Sequence, residues 1–276
     1  MSRNIRFSLA PLTVLGLAPA DVARVAAEAG YDAFGLRIHP VRDGERLLRL
    51  DGRSADREEL AAVMRDTGIR MFDVEAFRLD QASDWGRMEA ALAIGASLGA
   101  KSALTFIDER DRDRAIELYA HFCDLAEDYG LNASLEFMPW LGIGTLKGAA
   151  DVAKAVNRHN ARLVLDSLHV ARSATSVVEI QNTDPRLIAY AQICDAPQTP
   201  PAGPEELLSE ARFSRLIPGK GGLNLVEFVK ALPSDIPISP EIPPTPNAEG
   251  NAFEHAKKAL FATRDILSLA RENLRS

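Results

Sequence analysis

Four oxygen-bearing side chains close short apolar runs: Glu136 in Ser134-Leu135-Glu136-Phe137, Asp166 in Val164-Leu165-Asp166, Gln192 in Ala191-Gln192-Ile193-Cys194-Asp195, and Glu241 in Ser239-Pro240-Glu241-Ile242. Three carboxylates and an amide oxygen gathered away from water would repel one another and lose hydration unless a cation neutralised them. An all-oxygen set favours a hard divalent ion, Mg²⁺ or Mn²⁺, with Co²⁺ also tolerating a mixed environment. Any one such carboxylate could instead cap the next helix or pair with an arginine; it is the succession of four that points to a metal. His169 follows Asp166 by three residues, so one turn after the run could carry both side chains to the same place, where an imidazole could move a proton or touch substrate. Among the remaining histidines, His121, His159 and His255 fall in helical or connecting stretches, and His39, at the end of the second run, is a further pocket candidate.

Cations stand nearby in sequence. Arg212 and Arg215, in Glu210-Ala211-Arg212-Phe213-Ser214-Arg215, precede the glycine-rich Pro218-Gly219-Lys220-Gly221-Gly222. Exposed backbone N–H groups, Lys220 and a forked arginine could hold an anionic or polyhydroxylated ligand there, although the spacing is not that of a nucleotide phosphate loop. The plain alternative is a surface loop with solvated charges. Arg78 and Glu75, after the third apolar run, are weaker candidates at the same mouth.

These residues can meet only if their runs are neighbouring strands. Apolar runs at 5–10, 33–38, 70–75, 102–107, 133–137, 162–165, 188–193 and 236–241 alternate with segments of helical period at 20–29, 57–67, 84–98, 111–129, 147–158, 224–231 and 252–272, with a weaker one at 173–181. Eight βα units predict one (β/α)₈ barrel spanning 1–276, whose strand C-termini and βα loops converge on a single pocket. Gly30 and Gly68 stand where left-handed helix caps are expected. The stretch 197–222 reads as one long irregular loop at the pocket face.

Composition narrows the partners. A net charge of −7 argues against a nucleic-acid partner. No run approaches the ~20 apolar residues of a membrane span, and Met1-Ser2-Arg3-Asn4 carries no apolar signal region, so a cytoplasmic protein without a membrane partner is expected. Cys123 and Cys194 read as reduced, buried thiols.

The succession Leu135-Glu136, Leu165-Asp166-Ser167-Leu168-His169, Gln192-Ile193-Cys194-Asp195-Ala196-Pro197, Arg215-Leu216-Ile217-Pro218-Gly219-Lys220-Gly221 and Ser239-Pro240-Glu241-Ile242 resembles the metal-site pattern of the xylose isomerase-like barrel superfamily over nearly the whole chain. That group contains sugar and sugar-phosphate isomerases, epimerases, 3-dehydroshikimate dehydratases and endonuclease IV repair enzymes. The resemblance implies that Glu136, Asp166, Gln192 and Glu241 hold one divalent ion (Mn²⁺, Mg²⁺ or Co²⁺), with His169 close to substrate. It implies an isomerase or epimerase acting on a small polyhydroxylated carbonyl compound, a sugar or sugar phosphate, through a metal-stabilised enediolate. Glu136 and Glu241 would be its paired acid and base, and barrels of this type often form homodimers. Many epimerases of the group have histidine at the position of Gln192. The glutamine, followed by Asp-Ala-Pro and Pro-Gly-x-Gly, looks more like the bacterial single-domain dehydratases, whereas Asp73-Val74-Glu75-Ala76-Phe77-Arg78-Leu79 departs from them. In a dehydratase, His169 would move the proton and Arg212 or Arg215 would hold a carboxylate. An endonuclease IV-like site would need more histidine ligands than five histidines readily supply, and a basic surface. A barrel that binds its ligand without turnover is the remaining alternative.

Overall fold

The structure, a computed structural model, describes residues 6–40, 50, 54–244 and 251–272. The N-terminal residues Met1 to Asn4 lie outside the described residues. Eight parallel strands pair in sequence order: β1 (Ser8–Leu9), β2 (Ala33–Arg37), β3 (Arg70–Leu79), β4 (Ser102–Ile107), β5 (Asn132–Glu136), β6 (Ala161–Asp166), β7 (Ile188–Ile193) and β8 (Ile238–Pro240). A parallel bridge between Phe7 and Ile238 brings the last strand back to the first, so the sheet is a nearly closed barrel. Around it run α1 (Pro19–Ala29), α2 (Ala55–Thr67), α3 (Trp85–Ser97), α4 (Arg112–Glu127), α5 (Leu146–Val156), α6 (Ser167–Arg172), α7 (Val177–Asn182), α8 (Pro204–Phe213), α9 (Leu225–Ala231) and α10 (Ala252–Glu272).

The main core lies between sheet and helices, where Leu9, Phe34, Leu36, Val74, Leu135, Leu163 and Leu165 meet Tyr119, Phe122 and Leu260. Side chains of the opposite parity point into the barrel. There a smaller apolar cluster of Ala33, Phe72, Leu104, Phe106, Val164 and Tyr190 fills the interior. A strand buried on both faces has no solvent side for polar groups, so its runs are almost continuously apolar and the exceptions fall at the C-terminal ends. That is why Glu136, Asp166, Gln192 and Glu241 share one level of the barrel.

The helices begin and end where local chemistry allows. Gly30 and Gly68 adopt positive φ, 91° and 72°, and close α1 and α2. Ser54, Asp84, Asp111 and Thr145 accept backbone N–H groups at the starts of α2, α3, α4 and α5. Among the described residues, no helix is long and apolar enough to cross a membrane. Cys123 and Cys194 are free and buried.

Three expectations change. The stretch 197–222 is not irregular, because Pro204–Phe213 forms α8. Pro204 takes the first helical position and Glu205 and Glu206 sit in the first turn, a starting signal concealed by the surrounding prolines. The weak helical segment at 173–181 begins as a turn through Ala174, at φ 54°, and becomes helical only in α7, opened by a Ser176–Glu179 capping box, while α6 lies just before it. β3 continues to Leu79, beyond 70–75, through a register irregularity and a cis Glu75–Ala76 peptide.

Candidate metal centre and active site

Ligand atoms of Glu136, Asp166 and His169 lie within 4.8 Å of one another, all on buried side chains. Asp166 ends β6 and caps α6: its Oδ1 accepts the N–H groups of Leu168 at 2.7 Å and His169 at 3.2 Å. This cap turns the chain so that His169 Nε2 stands 3.5 Å from Glu136 Oε1 on β5. The edge of the Trp140 ring, or of the imidazole, meets the other's face at 5.2 Å. The second Asp166 oxygen accepts from Arg215 Nη1 at 2.6 Å, and the same nitrogen lies 3.0 Å from Glu241 Oε2. Gln192 Nε2 donates to Glu241 Oε1 at 3.0 Å and to Glu75 Oε1 at 3.4 Å.

Negative charge exceeds positive here. Asp73, Glu75, Glu136, Asp166 and Glu241 are all at most 4% exposed, with the guanidinium groups of Arg215 and Arg37 near them. Burial, then the charges of Glu241 and Asp166, pushes Glu136 well above the ordinary carboxylate range. Burial raises Glu241 to about 8 against the opposing pull of Arg215, and raises Asp73 to about 6. Burial and neighbouring Asp73 push Glu75 well up. Asp166 goes the other way: burial alone would raise it, but Arg215, His169 and the hydrogen bonds it accepts together hold it below its usual value. Burial lowers His169 to about 4, leaving a neutral imidazole at neutral pH.

Four buried atoms in this cluster have no hydrogen-bond partner: Asp73 Oδ1, Glu136 Oε1, His169 Nδ1 and Gln192 Oε1. Orphaned acceptors beside excess carboxylates are what a cation site needs and what a sealed core avoids. The residues therefore fit a divalent ion.

The other expected residues are dispersed. Arg215 sits inside the acid cluster. Arg78 is exposed and pairs with Asp80 at 2.9 Å and Asp108 at 2.6 Å. Arg212 is half-buried in the last turn of α8, and Lys220 is exposed in a surface groove beside Glu254 and Lys257 of α10. The glycine-rich turn is already filled: Asp195 Oδ2 accepts from Gly219 and Gly221 N–H, each at 2.9 Å, and Oδ1 from Leu223 N–H at 3.0 Å. A Cβ at Gly221 would strike the Ala196 carbonyl oxygen, so glycine permits the close approach. His39 is buried against Phe77 with centroids 5.1 Å apart.

Several polar groups escaped the sequence reading. Asp73 sits beneath the cluster and accepts from the Tyr190 hydroxyl at 3.2 Å. Arg172 forks Glu210 at 2.7 and 2.8 Å, tying α6 to α8. Period-two spacing offered a signal for the first pair, since Asp73 stands two before Glu75 and Tyr190 two before Gln192.

Comparison with known proteins agrees with this architecture. The sequence model of the family described as xylose isomerase-like TIM barrel matches residues 23–260. An inosose isomerase of Bacillus velezensis is 29% identical over 128 residues, 46% of this chain and 44% of that protein, so the alignment spans less than half of the relative's length. A fusion of a xylose isomerase-like TIM barrel with a 4-hydroxyphenylpyruvate dioxygenase superposes with a TM-score of 0.83 at 18% identity, covering 99% of this chain and 44% of the fusion. The IOLI protein with a bound zinc atom gives a TM-score of 0.78 at 19% identity, covering 96% of this chain and 98% of that one. With the family model matching most of its length, this chain belongs to the xylose isomerase-like TIM barrel family.

Proposed function

We propose that the barrel is a divalent-metal-dependent isomerase or epimerase acting on a small, uncharged polyhydroxylated carbonyl compound. The observation that carries this reading is the buried meeting of Glu136, Asp166 and His169 with unpartnered Glu136 Oε1, His169 Nδ1 and Gln192 Oε1. Glu136, Asp166, Gln192 and Glu241 would hold the ion, with His169 within reach. Once bound, a divalent ion polarises a substrate carbonyl and eases loss of the adjacent proton.

The chain's own groups divide the remaining work. Glu136 has a free oxygen and is the candidate to take that proton. Glu241, just past β8, is fixed by Arg215 and Gln192 and would return the proton. Neutral His169 can hydrogen-bond a substrate hydroxyl through Nδ1. Arg215 and Arg78 already have carboxylate partners, which favours an uncharged substrate over an acid or phosphate. A relative named inosose isomerase supports a cyclic polyol ketone as the first substrate to try.

Gln192, followed by Asp195-Ala196-Pro197, keeps a dehydratase as the second reading, with His169 moving the proton. One experiment separates the two. The Mn²⁺-supplied protein is incubated in D₂O with an inosose, with ketoses and with 3-dehydroshikimate, and the products are followed by NMR and mass. Deuterium entering beside the carbonyl of a polyol ketone, lost by about 100-fold or more in Glu136→Gln, is the expected result. A product lighter by one water selects the dehydratase. Absence of exchange or loss with every substrate overturns both.

A further inference from the structure

An amide ligand has a direction that a carboxylate does not. Only the oxygen of Gln192 can bind a cation; its nitrogen carries two N–H donors that would repel one. In the structure Oε1 is the buried atom left without a partner, while Nε2 donates to two carboxylate oxygens, one on Glu241 at 3.0 Å and one on Glu75 at 3.4 Å. Glu241 alone satisfies one donor. Glu75, reaching from β3, takes the other, so the flipped orientation would set the amide oxygen against two carboxylate oxygens. Glu75 itself lies beside Asp73, and Asp73 accepts from the Tyr190 hydroxyl at 3.2 Å. Gly35 makes room for Asp73, since a Cβ there would lie 2.5 Å from Asp73 Oδ1.

We infer that Glu75 is a positioning residue whose carboxylate sets the direction of the Gln192 amide, so that oxygen rather than nitrogen faces Glu136, Asp166 and His169. The inference rests on the reading of Gln192 as a metal ligand. Partners that orient a ligand in this way commonly tune metal affinity by about 10-fold to 100-fold.

The test is a calorimetric titration of Mn²⁺ into the metal-stripped full chain for wild type, Glu75→Gln, Gln192→Glu and the double variant. Glu75→Gln keeps the shape but can present a donor to Gln192, and Mn²⁺ affinity is expected to fall by about tenfold or more. In the Gln192→Glu background position 192 has two equivalent oxygens and no direction to set, so adding Glu75→Gln is expected to cost nothing or to strengthen binding by removing a like charge. An equal loss in both backgrounds is the signature of a packing role and overturns the inference. Unchanged affinity in Glu75→Gln, with wild type binding Mn²⁺, overturns it while leaving the proposed function standing. A wild type that binds no Mn²⁺ overturns the metal reading and this inference together. Should Glu75→Gln fail to fold, wild-type NMR with Zn²⁺ decides: the side-chain carbonyl carbon of Gln192 is expected to shift far more than its amide nitrogen, and the reverse overturns the proposal.

Discussion

Two buried charge clusters adjoin the segment after β7, one through Asp195 and the other through Arg215 beside Cys194. On one side, both oxygens of Asp195 accept backbone N–H groups from the turn through Gly219, Gly221 and Leu223, and both oxygens of Glu210 accept from Arg172. On the other, Arg215 Nη1 serves Asp166 and Glu241 at once, and Glu136, His169 and Gln192 each keep a buried atom with no partner. A buried charge with its bonds complete braces the fold. One left incomplete costs stability unless something else arrives to complete it. The difference separates the residues that hold the loop in place from those available for chemistry, though all are equally buried.

Substitutions should therefore act with opposite sign on the two sides. Glu210→Ala leaves the Arg172 side chain, 2% exposed, without its carboxylate and with only the Pro197 carbonyl, and urea unfolding is expected to show a loss of about 3 kcal/mol. A loss under about 1 kcal/mol would erase the distinction. In the metal-stripped chain, Glu136→Gln removes a carboxyl group that burial and the neighbouring Glu241 and Asp166 disfavour. At about pH 8 it is expected to stabilise the stripped chain, seen as a higher urea midpoint. Destabilisation would place Glu136 among the braces.

The site's protonation gives the same contrast a pH dependence. A carboxyl group whose folded pKa is raised contributes fully below its unfolded value and loses that contribution as pH rises through the folded one. For Glu241 the window runs from 4.5 to about 8, and Glu75 and Glu136 act in the same direction. His169, lowered from 6.5 to about 4, works against them over the acidic part of that range, one group against four once Asp73, raised from 3.8 to about 6, is counted. The stripped chain is thus expected to melt progressively earlier from about pH 5 to about pH 8, and supplied Mn²⁺ to reverse the trend. A flat profile without metal would mean that the cluster is already neutralised.

How much of this the sequence discloses follows from range. Strands buried on both faces make a polar residue at a strand end conspicuous, so Glu136, Asp166, Gln192 and Glu241 are legible from period and position alone. His169 is legible because its contact with Asp166 is local. Arg215 is visible as a cation, but its bond to Asp166 spans 49 residues of sequence and nothing local announces it. The glycine-rich turn reads alike whether its N–H groups face a ligand or Asp195, which accepts from Gly219 across 24 residues. Asp73 with Tyr190 and Gln192 with Glu75 are each 117 residues apart, and only barrel closure brings them together. α8 was hidden for a different reason: prolines that read as loop punctuation include the one that starts the helix.

The central claim is that the strand-end cluster is incomplete without a divalent cation, and calorimetric titration of Mn²⁺ into the metal-stripped chain at about pH 7 tests it most directly. Repeated in buffers of different ionisation enthalpy, the titration is expected to give one ion per chain with release of protons, because burial raises both Glu136 and Glu241 in its absence. A folded chain that binds no Mn²⁺, Mg²⁺, Co²⁺ or Zn²⁺ in excess, and releases no protons, would contradict it.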